Sequence, residues 1–336
     1  MARSAAFMIL AFLTMLPSVC LADEISHVAI ENHQDYLDFR IGKDLVTRYH
    51  IRKDVAKPYF WPVYGPHGTA MTRSWPMEKA PPGGSTDHPH QKSVWFCHGD
   101  VIPEGISLKT KVRGVEGVDF WSEGAGHGRI VCMKVGESKT EKNHAWVKTE
   151  NQWQTADGVP VLEEKRVLHL YDFGETRLLV VDIDLEASYT GITFGDTKEG
   201  SFGVRVNDLI REEKGNGKIE NAEGKVGEKN CWGRLSHWCD YSGTIDGQTV
   251  GIAILVDHLY WSTDPTCWHV RGYGLMAANP FGRVKSGFPD MRGSTDLVKL
   301  AKGEHLTLRY GVLLHPGDAK EGKVSEFHER FVKLKK

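Results

Sequence analysis

The stretch RLLVVDIDLEAS, residues 177–188, is the clearest run of alternating side chains in the chain. A period of two over this length predicts a β-strand with one face in a core and the other in water or in a cleft. The predicted core face carries Leu179, Val181, Ile183 and Leu185, and the opposite face carries Val180, Asp182, Asp184 and Glu186. We interpret the acidic row as a solvated face rather than as a metal site or an acid pair.

Similar short apolar runs recur along the chain, with turn signals such as Asp-Gly at 157–158 and 246–247 between them. Helical periodicity is persuasive only in EGKVSEFHERFVKLKK, residues 321–336, where Val324, Phe327, His328 and Phe331 share one stripe. The sequence therefore predicts an all-β fold, a large antiparallel β-sandwich with a short C-terminal helix. Further predicted strands are YLDFRI (36–41), RIVCMKV (129–135), SFGVRVND (201–208), TVGIAILVDHL (249–259) and HLTLRYGVLLHPG (305–317).

The first 22 residues have the layout of a secretory signal peptide. Arg3 precedes an apolar run of about Ala5 to Leu16, and Pro17 and a small-residue end at Ala22 follow. We expect cleavage after Ala22, which leaves residues 23–336 as one secreted or periplasmic domain. A lipoprotein alternative at Cys20 is less favoured because Val19 is larger than the usual preceding residue. No later segment is apolar over a membrane-spanning length, so membrane insertion is not expected.

Charge and cysteine content narrow the function classes. The chain has 42 basic and 44 acidic residues and no basic stripe, which argues against nucleic acid as a partner. No CxxC spacing occurs, so a structural zinc site is not expected. Cys231 and Cys239 form a possible bridge that spacing alone does not establish. After signal cleavage an odd number of cysteines remains, namely Cys97, Cys132, Cys231, Cys239 and Cys267.

A histidine cluster lies in STDHPHQKSVWFCHGD, residues 85–100. Pro89 favours an extended conformation at His88, which would direct His88 and His90 to the same side. Two imidazoles presented together suit one divalent metal ion, with His98 or a carboxylate as a further ligand. They equally suit acid–base chemistry on a sugar hydroxyl. Alternatively, one of the three histidines bonds the loop backbone and the other two are surface groups without a function. The preceding irregular stretch, 58–86, is rich in aromatics and is expected to pack over a cleft.

Two further segments carry candidate functional groups. In FGDTKEG, residues 194–200, Glu199 stands in a polar turn just before a predicted strand, where it can act as a base or bind hydroxyls. A solvated hairpin is the alternative. The segments 236–243 and 267–282 alternate aromatic and polar residues, as expected for sugar binding, or for tryptophans in a core. Their candidate substrate-binding residues are His237, Trp238, Asp240, Trp268, His269, Arg271 and Asn279.

Several motifs resemble a family of secreted bacterial proteins known as PmoA-like, which carries the label "methane oxygenase PmoA". The motifs are STDHPHQKSVWFCHGDV (85–101), DFW (119–121), FGDTKEGSFGVRV (194–206) and NPFG (279–282). The resemblance implies a β-supersandwich similar to galactose mutarotase-like domains, in proteins associated with carbohydrate breakdown. In mutarotase-like enzymes a histidine and a glutamate divide the acid and base roles, which Glu199 and one of the cluster histidines would satisfy.

The leading hypothesis is therefore a carbohydrate-active enzyme that hydrolyses, eliminates from or epimerises a sugar or oligosaccharide. The predicted catalytic residues are His88, His90, His98 and Glu199. A non-catalytic carbohydrate-binding protein is the first alternative. A copper-dependent oxidoreductase, with His88, His90 and His98 as metal ligands, is the second.

Overall fold

The computed structural model describes Met1, residues 28–257 and residues 266–334. Apart from Met1, the proposed signal peptide lies outside the described residues. In chain order the strands are β1 (Val28–Asn32), β2 (Tyr36–Ile41), β3 (Asp44–His50), β4 (Tyr59–Val63), β5 (Val94–His98), β6 (Val101–Pro103), β7 (Arg129–Thr140), β8 (His144–Gln154), β9 (Pro160–Phe173), β10 (Thr176–Glu186), β11 (Ile192–Phe194), β12 (Gly200–Arg205), β13 (Lys218–Asn221), β14 (Leu235–Ser236), β15 (Trp238–Ile245), β16 (Gln248–Val256), β17 (Thr266–Arg271), β18 (Leu275–Asn279), β19 (Val298–Leu300) and β20 (His305–Pro316).

The strands form two large sheets and one small one, and every pairing among the described strands is antiparallel. The nine-stranded sheet has the order β1-β2-β3-β4-β5-β12-β18-β17-β14. The eight-stranded sheet has the order β13-β15-β16-β20-β10-β9-β8-β7, and a three-stranded sheet has the order β19-β11-β6. Among the described residues the α-helices are α1 (Glu228–Cys231) and α2 (Val324–Lys333), besides short 3₁₀ helices. The predicted large antiparallel sandwich with a short C-terminal helix is confirmed.

The main core lies between the two large sheets. Phe96 of β5 contacts Trp153 and Tyr310 of the opposite sheet, with ring centroids 6.0 Å apart in both cases. Phe202 of β12 stacks on the same tyrosine at 4.6 Å. The apolar side chains of β10, including Leu179 and Val181, belong to this core, as their period of two predicts.

A buried ion pair spans the core. Glu164 and Arg166, both on β9, are 1% and 2% exposed. Glu164 accepts hydrogen bonds from Arg166 at 2.6 and 2.9 Å and from the indole nitrogen of Trp153 at 2.9 Å. Arg166 donates to the carbonyl oxygen of Phe96 and to the Tyr49 hydroxyl on the nine-stranded sheet. This pair therefore connects the two sheets with directed hydrogen bonds.

Helix α2 covers part of the outer face of the eight-stranded sheet, where it forms a second apolar cluster. Val324 and Phe331 of its predicted stripe are fully buried. Val180 lies beneath the helix, so the acidic side of β10 is solvated only toward its end, where Asp184 and Glu186 lie. No helix among the described residues is long and apolar enough to cross a membrane. Cys231 and Cys239 are free thiols, as are the other three described cysteines.

Candidate functional site

A row of residues crosses the middle of the nine-stranded sheet on the face turned away from the other large sheet. Trp95 pairs with Gly203, Gly203 with Ala277, and Ala277 with His269. Their sequence neighbours Phe96 and Phe202 point into the core, so alternation directs this row outward. Trp121 packs on Trp95 with centroids 5.0 Å apart, and the loop that carries Asp87 is bonded to Arg205 on this face. The candidate site lies where these loops meet the sheet.

Asp87 anchors the loop that carries the histidine cluster. Its Oδ1 accepts hydrogen bonds from Arg73 at 2.6 Å and from Arg205 of β12 at 2.7 Å. Both arginines are at most 2% exposed, whereas Asp87 is partly exposed. Burial, and then the neighbouring charge of Arg205, lowers the pKa of Arg73 to about 10. Charge-assisted bonds to two buried guanidinium groups hold the loop against the sheet.

His88 does not adopt the extended conformation that its following proline predicts. Its φ is +43°, in the left-handed region. The carbonyl oxygen of His88 accepts from Arg73 at 3.1 Å and from the Gln91 amide at 3.0 Å, which compensates for this conformation. The ring stacks on Tyr273 at 5.0 Å, and its Nδ1 lies 3.2 Å from Asp87 Oδ2. Because Nδ1 faces a carboxylate, it carries the proton and Nε2 remains for chemistry.

His90 lies next to His88, with perpendicular rings whose centroids are 5.7 Å apart. Burial, and then the charge of Lys57, lowers the pKa of His90 to about 3. His90 is therefore a neutral imidazole at physiological pH. It is suited to a hydrogen bond with a neutral ligand rather than to carrying charge.

His98 is separated from the other two histidines. It lies on β5 two residues after Phe96, so it faces the core, and it is fully buried. Its Nε2 is 2.8 Å from the Gly195 carbonyl oxygen and its Nδ1 is 3.3 Å from the Ser201 hydroxyl. Burial lowers its pKa to about 4. With both ring nitrogens engaged, His98 does not join His88 and His90 in the predicted metal site. Within the described ranges, the three side chains whose ligand atoms gather closely enough for a metal are Glu31, His33 and Asp38, on another part of the surface.

Glu199 lies at the start of β12, partly buried, in electrostatic reach of Asp119, His88 and Arg271. Burial raises the pKa of its carboxyl above the usual value of 4.5. The backbone amide of Glu199 is bonded to Thr197. Among the hydrogen bonds and ion pairs of the described residues, the Glu199 carboxylate takes part in none. A half-buried carboxyl with a raised pKa and open oxygens is suited to proton transfer.

His269 is held in one tautomer by Trp232. The indole Nε1–H donates to His269 Nδ1 at 3.1 Å, and an indole nitrogen cannot accept. Nδ1 is therefore unprotonated and the ring proton is on Nε2. Burial, and then the charges of Lys198, Arg271 and His88, lowers the pKa of His269 to about 3. His269 is a neutral hydrogen-bond donor. Arg271, two residues further on the same strand face, pairs with Glu228 at 3.1 Å.

We expect Trp232→Phe to let His269 adopt both neutral tautomers without unfolding the protein. The indole nitrogen is removed, so Nδ1 loses its donor and both neutral tautomers become populated. Nitrogen-15 NMR of the imidazoles should show a single Nε2–H form for His269 in the wild type and a mixture in the variant. His98, whose partners are unchanged, is the internal control. Identical His269 spectra in both proteins would contradict the assignment.

The remaining predicted substrate-binding residues lie elsewhere. Trp238 and Asp240 of β15 are on the outer face of the eight-stranded sheet, and Asp240 is fully buried, 2.8 Å from His315 Nε2. His237 lies beside α2, with its ring 5.6 Å from that of His328. Trp268 faces the core because it alternates with His269. The side chain of Asn279 bonds the Thr197 carbonyl oxygen at 2.9 Å, which steadies the turn before Glu199.

The structure brings together five of the candidate side chains: His88, His90, Glu199, His269 and Arg271. We refer to these as the His–Glu cluster. Sequence reasoning missed Trp232, Lys57 and Glu123, which surround it. Glu123 follows the DFW motif closely, but nothing local to Trp232 or Lys57 signals a role. A separate cavity of about 580 Å³, between Asp257 and Arg309, contains Asn279 and no residue of the cluster.

The fold and the cluster define a two-sheet β-sandwich with a polar site on one outer face. The chain belongs to the DUF6807 family, a family of unknown function, whose model matches residues 36–329. The match carries that description and not the methane oxygenase label of the PmoA-like resemblance. No curated protein matches the sequence.

Solved structures similar to this chain include two bacterial proteins. The GH36 α-galactosidase AgaB from Geobacillus stearothermophilus has a TM-score of 0.43 and 11% identity, over 88% of this chain. This chain spans 42% of the length of that enzyme. A galactose mutarotase-like protein from Clostridium acetobutylicum has a TM-score of 0.40 and 10% identity, over 87% of this chain and 99% of that one.

Proposed function

We propose that the protein is a carbohydrate-active enzyme that moves protons on a sugar bound at the His–Glu cluster. The observation that carries the proposal is the open, half-buried carboxyl of Glu199 near His88, which in turn lies near His90 and His269. His88 faces Asp87 through Nδ1, and His269 accepts from Trp232 at Nδ1, so both rings have a fixed orientation. Hydroxyl-rich substrates suit a site built from neutral donors, one carboxyl and one guanidinium group.

The roles follow from the proton positions. When Glu199 takes the proton of an anomeric hydroxyl, the bond between C1 and the ring oxygen breaks and the ring oxygen receives the electron pair. When it takes a proton from a carbon next to a carbonyl group, the carbonyl oxygen receives the electron pair as an enolate. His88, oriented by Asp87, takes a second proton from solvent at Nε2 and, as an imidazolium, delivers it to that oxygen. The Nε2–H of His269 and the Arg271 guanidinium stabilise negative charge as it develops.

Epimerisation and elimination fit this arrangement better than hydrolysis. Glycoside hydrolysis usually requires two available carboxyl groups on either side of the scissile bond. Asp119 is the neighbouring carboxyl of Glu199, but its Oδ1 accepts the Trp121 and Ser122 amides, and its Oδ2 lies 3.4 Å from His127. Glu199 is thus left as the carboxyl for proton exchange.

Proton NMR in deuterated water provides the test. The purified protein is incubated with a panel of aldoses, uronic acids and their disaccharides. Accelerated anomer exchange, deuterium entry at a ring carbon, or a new epimer would support the proposal, and ultraviolet absorbance would reveal an unsaturated elimination product. Saturable sugar binding without any of these changes would replace it with the non-catalytic alternative. The absence of both sugar binding and turnover would refute the proposal.

Export belongs to the same proposal. The charge, apolar run and small-residue end of residues 1–22 support it. When the full chain is expressed in a bacterium, we expect the mature protein to begin at Asp23. N-terminal sequencing of the periplasmic or culture fraction checks this. Replacing the apolar Leu10 and Leu13 with arginine should retain the uncleaved chain inside the cell, and cleavage that continued in this variant would contradict the signal.

A further inference from the structure

A second polar cavity opens beside the His–Glu cluster. Its volume is about 380 Å³, which is within the range of about 300–1,000 Å³ that holds small molecules. One wall is the segment 124–128, in which glycine occupies every second position. Gly124 and Gly126 have φ of +143° and +82°, a conformation that side chains disfavour. This wall consequently presents backbone and little side-chain bulk.

The polar floor of this cavity is a carboxylate clamped between two ammonium groups. Glu123 accepts from Lys92 at 2.6 Å and from the buried Lys57 at 3.1 Å. Burial alone would raise the pKa of Glu123, but the two lysines lower it overall. Glu123 and Lys92 retain 21% and 19% side-chain exposure, so both can reach a ligand. A fixed acceptor next to a fixed donor matches the adjacent hydroxyl groups of a sugar ring.

His90 connects the cavity to the cluster. Its ring lies 5.7 Å from that of His88 on one side and 6.5 Å from that of Trp121 on the other. Lys57 donates to the Trp121 carbonyl oxygen at 2.9 Å as well as to Glu123. Lys57 and Glu123 also lie within electrostatic range of His90, so His90 links the floor of the cavity to the cluster.

We propose that this cavity is a second sugar subsite, so that the substrate is a disaccharide or longer glycan rather than a free monosaccharide. The proposal rests on the proposed function, because it assigns the reacting sugar to the His–Glu cluster. The neighbouring sugar would bind Glu123 and Lys92 through its hydroxyls and face the glycine-rich wall.

The test fills the cavity without touching the cluster. Ala125 is exposed and lines the cavity, so Ala125→Trp places an indole in it. Binding is measured by calorimetry for glucose, galactose, mannose, xylose and glucuronic acid, and for disaccharides of each. We expect the wild type to bind a disaccharide about tenfold more tightly than its monosaccharide. Ala125→Trp should remove that difference and leave monosaccharide affinity within about twofold.

The matched control is Ala301→Trp, which adds the same side chain at an exposed position in the turn after β19. It should bind both classes as the wild type does. Unchanged disaccharide affinity in Ala125→Trp, or equal affinity of the wild type for both classes, would overturn the subsite while leaving the proposed function intact. Loss of monosaccharide binding in Ala125→Trp would also overturn it. If no sugar bound to the wild type, the proposed function itself would fail.

Discussion

Glu199→Gln is expected to lower turnover by roughly a hundredfold or more, the usual contribution of a positioned acid–base group. The amide preserves the shape of the side chain but can neither take nor give the proton. Because burial raises the pKa of Glu199 above 4.5, wild-type activity should rise with pH as the carboxyl ionises, with a midpoint above that value. Turnover with the sugar identified by NMR, measured across pH, checks both expectations.

The control for this variant is Glu326→Gln, the same change on the exposed side of α2. It should retain full turnover and an unchanged pH profile. Both variants should have wild-type unfolding midpoints. If Glu199→Gln kept its turnover and its acid limb, Glu199 would not be the proton-transfer group.

Glu164→Gln is expected to reduce the free energy of unfolding by about 3–5 kcal/mol, the range for breaking a buried ion pair by removing one partner. The variant leaves the Arg166 guanidinium charged and buried, and it replaces one of the two oxygens that accept from that group with an NH2 donor. Denaturant unfolding should show a lower midpoint with an unchanged slope.

The neighbouring Glu163→Gln is the matched control. Glu163 lies on the other face of β9, partly exposed, and accepts from Gln152 at 2.9 Å. Loss of the Glu163 carboxylate should change the free energy of unfolding by about 1 kcal/mol or less. Equal midpoints for the two variants would mean that Glu164 does not stabilise the core through its charge.

Much of the fold could be predicted because local patterns agree with tertiary burial. The alternation in β10 identifies its core face, and the stripe at 321–336 identifies α2. The same rule could not show whether Trp238 and Trp268 lie in a core or at a binding surface, because both faces of their strands are buried. The outer face of β15 is buried by α2 and that of β17 by residues such as Trp232, so period two no longer distinguishes core from surface in these strands.

The candidate site was partly predictable for a similar reason. His88, His90 and Glu199 were identified by residue type and loop position, and the structure places them together. The backbone at His88 was not predictable, because hydrogen bonds from Arg73 and Gln91 override the preference that the proline imposes. The link between Lys57 and Glu123 joins residues 66 positions apart, and no local pattern encodes it.

The order of the nine-stranded sheet has a consequence for folding. His98 pairs with Gly200 and Arg205 pairs with Leu275, so neighbours at the site are contributed by distant parts of the chain. Closing such long loops is entropically slow and is rewarded only when the strands meet. Ligand affinity should therefore emerge late during refolding, after most secondary structure has formed, and fragments ending before β18 should bind no sugar. A bound sugar would then act as a selective stabiliser of completely folded chains.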